Sequence, residues 1–301
     1  MIMFHALCVG SSIAHQLAAD QDLEFIGQTS RGCFLQTKTK YAWTVFLSEE
    51  TYRGPLTINL PAGAITPIQQ ATAHTIPLFQ NILHFSDKVQ LSLQNAPHWR
   101  TASPVDPARH FAARQKTIAE VIRSIQQRKA KKELAGILPD LLPMLAVSSL
   151  PYSTSGQFTE KLSALITALQ SSEPRVLLDR LAAFLGQGSG LTPSGDDFLL
   201  GFFLTLNRWE GHIPFAESAR PLGQQIAEKA RDQTTDLSAN LIECAIHGEA
   251  DQRLIKALDG LMTIDKPDPE WLDGLLNWGN SSGLDAFAGM ILANEWQTIR
   301  F

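Results

Sequence analysis

The chain reads as an α+β protein in which a β-rich N-terminal domain, a small barrel or sandwich, precedes a larger α-helical domain. Three observations give this reading. Up to about residue 105, short β-branched and aromatic runs alternate with polar residues and are punctuated by Gly and Pro. Beyond it, apolar residues recur at helical spacing almost without relief. Between the two, 95–108 carries Pro97, Pro104 and Pro107 among Ser, Thr and Asp, the composition of a linker. The domains expected are therefore 1–105 and 106–301.

In the first half, Ser11-Ser12 ahead of Ile13, Ala14, Leu17 and Ala18 predicts one short helix. Strands are predicted over 23–29, 33–37, 42–47, 56–60 and 89–93, with breakers such as Arg53-Gly54-Pro55 and Leu60-Pro61-Ala62-Gly63 between them. In the second half, 111–132 places Phe111, Ile118, Val121, Ile122 and Ile125 at helical spacing. Further helices are predicted over 159–169, 176–185, 195–209, 215–232, 237–247, 253–262 and 284–296.

Composition limits the function classes. The 301 residues are 44% hydrophobic and 18% charged, ample for a core and too poor in charge for a disordered chain. A net charge of −5 argues against a nucleic-acid partner for the surface as a whole. The longest apolar stretch, 198–206, is broken by Gly201 and Thr205 and falls far short of a membrane span of roughly 20 residues. Residues 1–8 are apolar without a Lys or Arg ahead of them, which reads poorly as a signal peptide and points to a cytoplasmic protein. Cys8, Cys33 and Cys244 are scattered and odd in number, neither a disulfide framework nor a zinc site. One basic stretch stands out: 109–132 has eight Lys or Arg against one acid, Glu120. It suits either contact with nucleic acid or an acidic partner, or a solvated helix face whose cations complement the C-terminal end of the dipole.

The segment Gly186-Gln187-Gly188-Ser189-Gly190-Leu191-Thr192-Pro193-Ser194-Gly195-Asp196-Asp197 holds four glycines, lies between two predicted helices and ends in adjacent carboxylates. Glycine lets backbone N–H groups approach a ligand. Ser194 is a natural N-cap for the next helix, with Asp197 in capping-box position. A glycine-rich loop feeding a helix N-terminus can bind an anion through unpaired N–H groups. It has neither the Walker pattern nor the dinucleotide fingerprint, and a helix rather than a strand precedes it.

Gly279-Asn280-Ser281-Ser282-Gly283-Leu284-Asp285 repeats this grammar: Ser194-Gly195-x-Asp197-x-x-x-Gly201 aligns with Ser282-Gly283-x-Asp285-x-x-x-Gly289. The candidate catalytic residues are Asp196, Asp197 and Asp285. The candidate ligand-binding residues are Gly188, Gly190, Thr192, Ser194, Gly195, Ser281, Ser282, Gly283, Thr235 and Ser238. Two well-capped helices packed closely through Gly explain the same pattern without a ligand. Several carboxylates at two helix starts would repel a bare anion at contact distance. Either the Asp side chains grip an amide or ammonium donor, or a hard cation such as Mg²⁺ bridges to the anion, or one Asp acts as general base. The sequence leaves these open.

Other candidates are weaker. Gly279–Gly283 spells G-x-S-x-G around Ser281, but no His follows it, so the hydrolase order is excluded. The eight histidines show no metal-ligand spacing. Thr234-Thr235-Asp236-Leu237-Ser238 opens a helix as an N-cap cluster, or forms a third polar wall to the site. Arg31, Arg53 and Arg231 are the cations to watch for carboxylate recognition.

The blocks at 186–201 and 279–289, with 234–241, resemble a bacterial domain-of-unknown-function family whose members are similar to the small subunit of oxamate carbamoyltransferase from anaerobic allantoin catabolism. Val9-Gly10-Ser11-Ser12-Ile13-Ala14 is loosely like that family's opening block. The resemblance implies a role in reversible carbamoyl transfer, oxalurate plus phosphate giving oxamate and carbamoyl phosphate. It also implies partner subunits that look like succinyl-CoA synthetase. A small-molecule ligand of this kind suits glycine N–H groups and Asp acceptors, with donors preorganised for the oxyanion of the transfer. A non-catalytic assembly or regulatory subunit of such a complex is equally consistent with the residues.

Overall fold

The computed structural model describes residues 1–71, 73–104, 110–128, 136–144, 156, 158–171, 173–213, 219–263 and 269–299. It divides into two compact units, Met1–Ala102 with Glu249–Gln252, and Ser103–Gly248 with Arg253–Phe301.

The first unit is β-rich. Its strands are β1 (Ile2–His5), β2 (Cys8–Gly10), β3 (Gln21–Thr29), β4 (Gly32–Thr37), β5 (Thr44–Ser48), β6 (Thr57–Asn59), β7 (Thr75–Phe79), β8 (Ile82–His84), β9 (Val89–Ser92) and β10 (His98–Trp99). Two short helices, α1 (Ser11–Gln16) and α2 (Ile65–Ala71), interrupt them. The strands form one sheet in the order β1-β9-β8-β7-β3-β4-β5-β6-β2-β10. β1 and β2 lie towards opposite ends of that order, yet only Ala6 and Leu7 separate them in the chain. The sheet must therefore curl, and it forms a half-barrel rather than a sandwich. Period-two alternation works as expected in β4 and β5: Cys33, Leu35, Val45 and Leu47 are buried. On the other face the paired residues Phe34 and Phe46 stack with centroids 4.7 Å apart. The segment between two later helices completes this unit. Ser11 Oγ donates to Glu249 Oε2 at 2.7 Å, and the Gln252 N–H donates to the Arg53 carbonyl at 2.8 Å.

All three cysteines are buried and none is in a disulfide, and burial pushes the Cys33 thiol up to about 12. With so little thiolate at neutral pH, the native protein is expected to resist an aromatic disulfide reagent while the denatured chain reacts at all three thiols. Rapid native labelling of Cys33 is the contrary result.

The second unit is helical. Its described helices are α3 (Phe111–Arg128), α4 (Leu138–Met144), α5 (Thr159–Ser171), α6 (Pro174–Ala182), α7 (Ser194–Arg208), α8 (Ala219–Gln233), α9 (Asp236–Ile246), α10 (Gln252–Thr263), α11 (Pro269–Leu276) and α12 (Ser282–Ile299). The ends of the predicted helices at 129–132 and 215–218 lie outside the described residues. The basic stretch is not a uniformly solvated face, because Arg114 is buried beside Phe111 and donates to Met262 Sδ at 3.4 Å. Among the described residues no helix is long and apolar enough to cross a membrane.

α7 and α12 form the centre of this unit. Residues 195–207 of α7 are all buried, as are 282–296 of α12. Helices buried on every side carry apolar residues all round, and these do. Phe184, Phe198, Phe202 and Trp296 stack in succession through them, at 4.8, 6.5 and 5.8 Å between centroids. The two helices touch through their glycines. A methyl group on Gly201 would lie 1.8 Å from the Ala286 carbonyl oxygen, and one on Gly289 would lie 2.0 Å from that of Phe198. Counted from its serine, each helix offers its eighth residue to the fifth of the other, so the contact is reciprocal and the chains run in opposite directions through it.

Candidate functional site

The repeat seen in the sequence is a repeat in space. In each copy a glycine after the serine packs under the end of the preceding helix. A methyl on Gly195 would meet the Phe184 carbonyl oxygen at 2.0 Å, and one on Gly283 would meet that of Leu275 at 1.9 Å. Their N–H groups turn back on the incoming loops, Gly195 to the Gln187 carbonyl at 2.8 Å and Gly283 to that of Trp278 at 3.0 Å. Gly195 and Gly283 are thus packing positions at two matching helix starts.

Capping differs from the expectation. The N-cap of α7 is Pro193, with no side-chain cap bond, and Ser194 is already helical. The capping box fails because Asp197 does not point back along the helix. It lies on the face of α7 that meets α12, 1% exposed. Thr235 does cap α9, its Oγ1 accepting the Ser238 N–H at 3.1 Å. The same hydroxyl donates to the Leu191 carbonyl at 2.7 Å, tying the glycine loop to the start of α9. The capping reading is therefore realised at Thr235.

The three carboxylates have separate surroundings. Asp196 Oδ1 accepts the Gly186 N–H at 2.8 Å, and Oδ2 accepts the Thr234 hydroxyl. Gly186 has φ of 67° and its α-carbon faces the Gln233 carbonyl, so the turn needs a residue without Cβ. Burial raises the Asp196 carboxyl, and the bonds from Thr234 and Gly186 pull it partly back. Asp197 is pushed well above the usual carboxylate range, first by burial and then by the charge of Asp285, against the Ser282 and Thr192 hydroxyls. Those two hydroxyls bond each other at 3.0 Å. Asp285, fully buried, accepts the Ile137 N–H on Oδ1 at 2.7 Å.

The structure brings together Thr192 with Ser282, Leu191 with Thr235, Asp196 with Thr234, and Asp197 with Asp285. Gly188 and Gly190 are exposed at the loop, Thr192, Ser194, Ser281 and Thr235 are half-buried, and Ser282 and Ser238 are buried. Thr234, named beforehand only within the N-cap cluster, and Gly186 and Ile137, which were not among the site candidates, supply donors to the aspartates. Nothing near Ile137 marks it, since its partner lies 148 residues on. Arg31 and Arg231 are paired within the chain, to Glu50 at 3.7 Å and to Glu243 at 2.5 Å, and are not free for a ligand carboxylate. Among the described residues no group of three or more His, Cys, Asp or Glu is arranged to hold a metal.

One carboxylate is turned onto Gly186 and Thr234, one is driven towards its neutral form, and one is held beneath the surface. The exposed residues 188–191 offer backbone rather than charge. Comparison with curated proteins and with solved structures finds no match. Residues 184–294, which contain both Ser-Gly-x-Asp helix starts and the cap of α9, match the family model described as oxamate carbamoyltransferase subunit AllH, and it is this subunit family that the chain resembles.

Proposed function

We propose that the protein is a cytoplasmic subunit of a carbamoyltransferase-type enzyme, handling oxalurate, oxamate and carbamoyl phosphate with partner subunits. The observation that carries this is the family match, because its span takes in the glycine loop, both serine–aspartate helix starts and the start of α9. In this reading Gly188, Gly190, Thr192 and Ser194 hold phosphate or carboxylate oxygens through N–H and O–H donors. Ser281, just before α12, and Ser282, its first residue, lie across from them, while Gly195, Gly283, Thr235 and Ser238 hold the two helix starts and the α9 cap in place. Asp196, Asp197 and Asp285 act from beneath as acceptors and acid–base groups. Preorganised donors at a helix start stabilise the oxyanion formed as phosphate attacks the carbamoyl carbon. Mg²⁺ would suit this chemistry as a hard cation bridging the aspartates to the phosphate oxygens.

The depth of Asp197 and Asp285 favours a second reading, in which the chain assembles or regulates a complex with succinyl-CoA-synthetase-like partners and its acids serve only packing. A thermal-shift panel separates the two. Wild type and Thr192→Val are heated with phosphate, carbamoyl phosphate, oxamate or oxalurate, each with and without Mg²⁺. A ligand at 100 times its Kd adds about 2.7 kcal/mol. A shift in wild type that Thr192→Val abolishes is the expected result; no shift with any ligand supports the assembly reading.

A further inference from the structure

Asp197 and Asp285 occupy matching places in the two halves of the repeat, yet their neighbours are not matched. Asp285 receives a backbone N–H from Ile137, a donor that cannot be turned into an acceptor and so favours a carboxylate. The groups that favour the ionised form of Asp197 are the Ser282 and Thr192 hydroxyls, bonded to each other at 3.0 Å, and a hydroxyl can donate or accept as required. Oδ2 is buried in both acids, where a carboxylate oxygen is costly to hold, so this oxygen does not tell one from the other. The charged groups that bear on Asp197 are Asp285 from α12 and Asp196 from α7 itself, both acids. No cation from the packed elements contributes among the described residues. Two carboxylates cannot both stay ionised cheaply in such a place.

We propose that Asp197 and Asp285 hold a single proton between them, Asp197 as the neutral member and Asp285 as the carboxylate, and that the Ser282–Thr192 hydroxyl pair links this proton to the half-exposed edge of the glycine loop. Asp197 is then a positioning residue that acts through Thr192. As Thr192 gives its hydroxyl proton to a base on the ligand, Ser282 and Asp197 each pass one proton along, leaving Asp197 as a carboxylate; the reverse movement restores it. This step rests on the carbamoyl-transfer reading, in which the base is the amide nitrogen that leaves as its bond to the carbamoyl carbon breaks. The proton itself does not rest on that reading.

The test uses the full chain without ligand. Tm is followed between about pH 4 and pH 8 for wild type, Asp197→Asn and the double variant Thr192→Val/Ser282→Ala. A carboxyl whose folded value is raised takes up a proton on folding. Its fold therefore loses stability as pH climbs above the ordinary value of 3.8, until the folded value is passed. Wild type is expected to show this loss and Asp197→Asn to lack it, so the gap opens in favour of Asn as pH rises. The double variant removes the two hydroxyls that pull Asp197 down, so its loss is expected to extend to higher pH. Parallel curves for wild type and Asp197→Asn overturn the shared proton. An unmoved window in the double variant overturns the hydroxyl link. If a variant does not fold, the infrared carbonyl band of a protonated carboxyl in wild type at neutral pH decides, its absence being fatal. A pH signature without any ligand shift leaves the proton pair standing and removes the carbamoyl reading; a ligand shift without the signature does the opposite.

Discussion

Gly201→Ala is expected to lower the stability of the helical unit by about 3 kcal/mol or more, which for a unit of this size is roughly 6–12 °C in Tm. The added methyl would lie 1.8 Å from the Ala286 carbonyl oxygen, 2.6 Å from its carbon and 2.9 Å from its α-carbon. These are backbone atoms inside a buried helix, so no side chain can swing aside. The helices must separate, and separation loosens the stack of Phe198, Phe202 and Trp296 that crosses them. Gly289→Ala should cost a similar amount, since its methyl meets the Phe198 carbonyl oxygen at 2.0 Å and the Phe202 nitrogen at 2.7 Å. Combined, the two should cost clearly less than their sum, because one separation relieves both clashes. Thermal melts followed by circular dichroism give the answer, and an unchanged Tm in either single variant defeats the account of the crossing.

Asp196→Ala is the second large effect. It leaves the Gly186 N–H and the Thr234 hydroxyl without their acceptor, and hydrogen bonds to a charged group contribute about 1.5–3 kcal/mol each. Part of that loss is offset, since the carboxylate no longer has to be buried. A net loss of about 2–3 kcal/mol is expected. Asp196→Asn should lose much less, because its amide oxygen still accepts from Gly186 and its amide can donate to Thr234. The loss should be local as well as global. With the turn at Gly186 released, protease cleavage around 188–191 should accelerate in the alanine variant and stay near wild type in the asparagine variant. Equal cleavage in both would mean that Asp196 does not hold the loop.

Much of the helical half was legible because α5, α8, α9 and α10 carry an apolar stripe at helical spacing. The periodicities at 159–169, 237–247 and 253–262 correspond to α5, α9 and α10 with boundaries displaced by a residue or two. α4 was missed because Pro139 and Pro143 read as breakers, and α11 because eight residues give a weak pattern. In the β-rich half, β3, β4, β5, β6 and β9 carry alternation or apolar runs and were visible. β7 and β8 were not, since their turn uses Gln80 and Asn81 at φ of 51° and 61° instead of a glycine signal. β1 pairs in parallel with β9, Ile2 against Val89, and no local pattern announces a partner so far along the chain.

The site followed the same division. The repeat of Ser, Gly, Asp and Gly could be read from spacing alone, and its second glycine proved to be the point where the two helices touch. What spacing could not supply was direction. Asp196 and Asp197 are neighbours in sequence, but a helix turns about 100° per residue, so one faces Thr234 and the other faces α12. The stronger upward push on the Asp197 carboxyl follows from that rotation.

The first unit takes Glu249–Gln252 from far along the chain to complete its contacts at Ser11 and Arg53. During synthesis this sets an order of assembly. When residue 102 leaves the ribosome the curled sheet has all ten strands but not the segment that closes onto α1. It must wait for about 150 further residues, some ten seconds or so at ordinary elongation rates. Over that interval the Ser11 hydroxyl and the Arg53 carbonyl face solvent, and the N-terminal half is finished only after most of the helical half has been made.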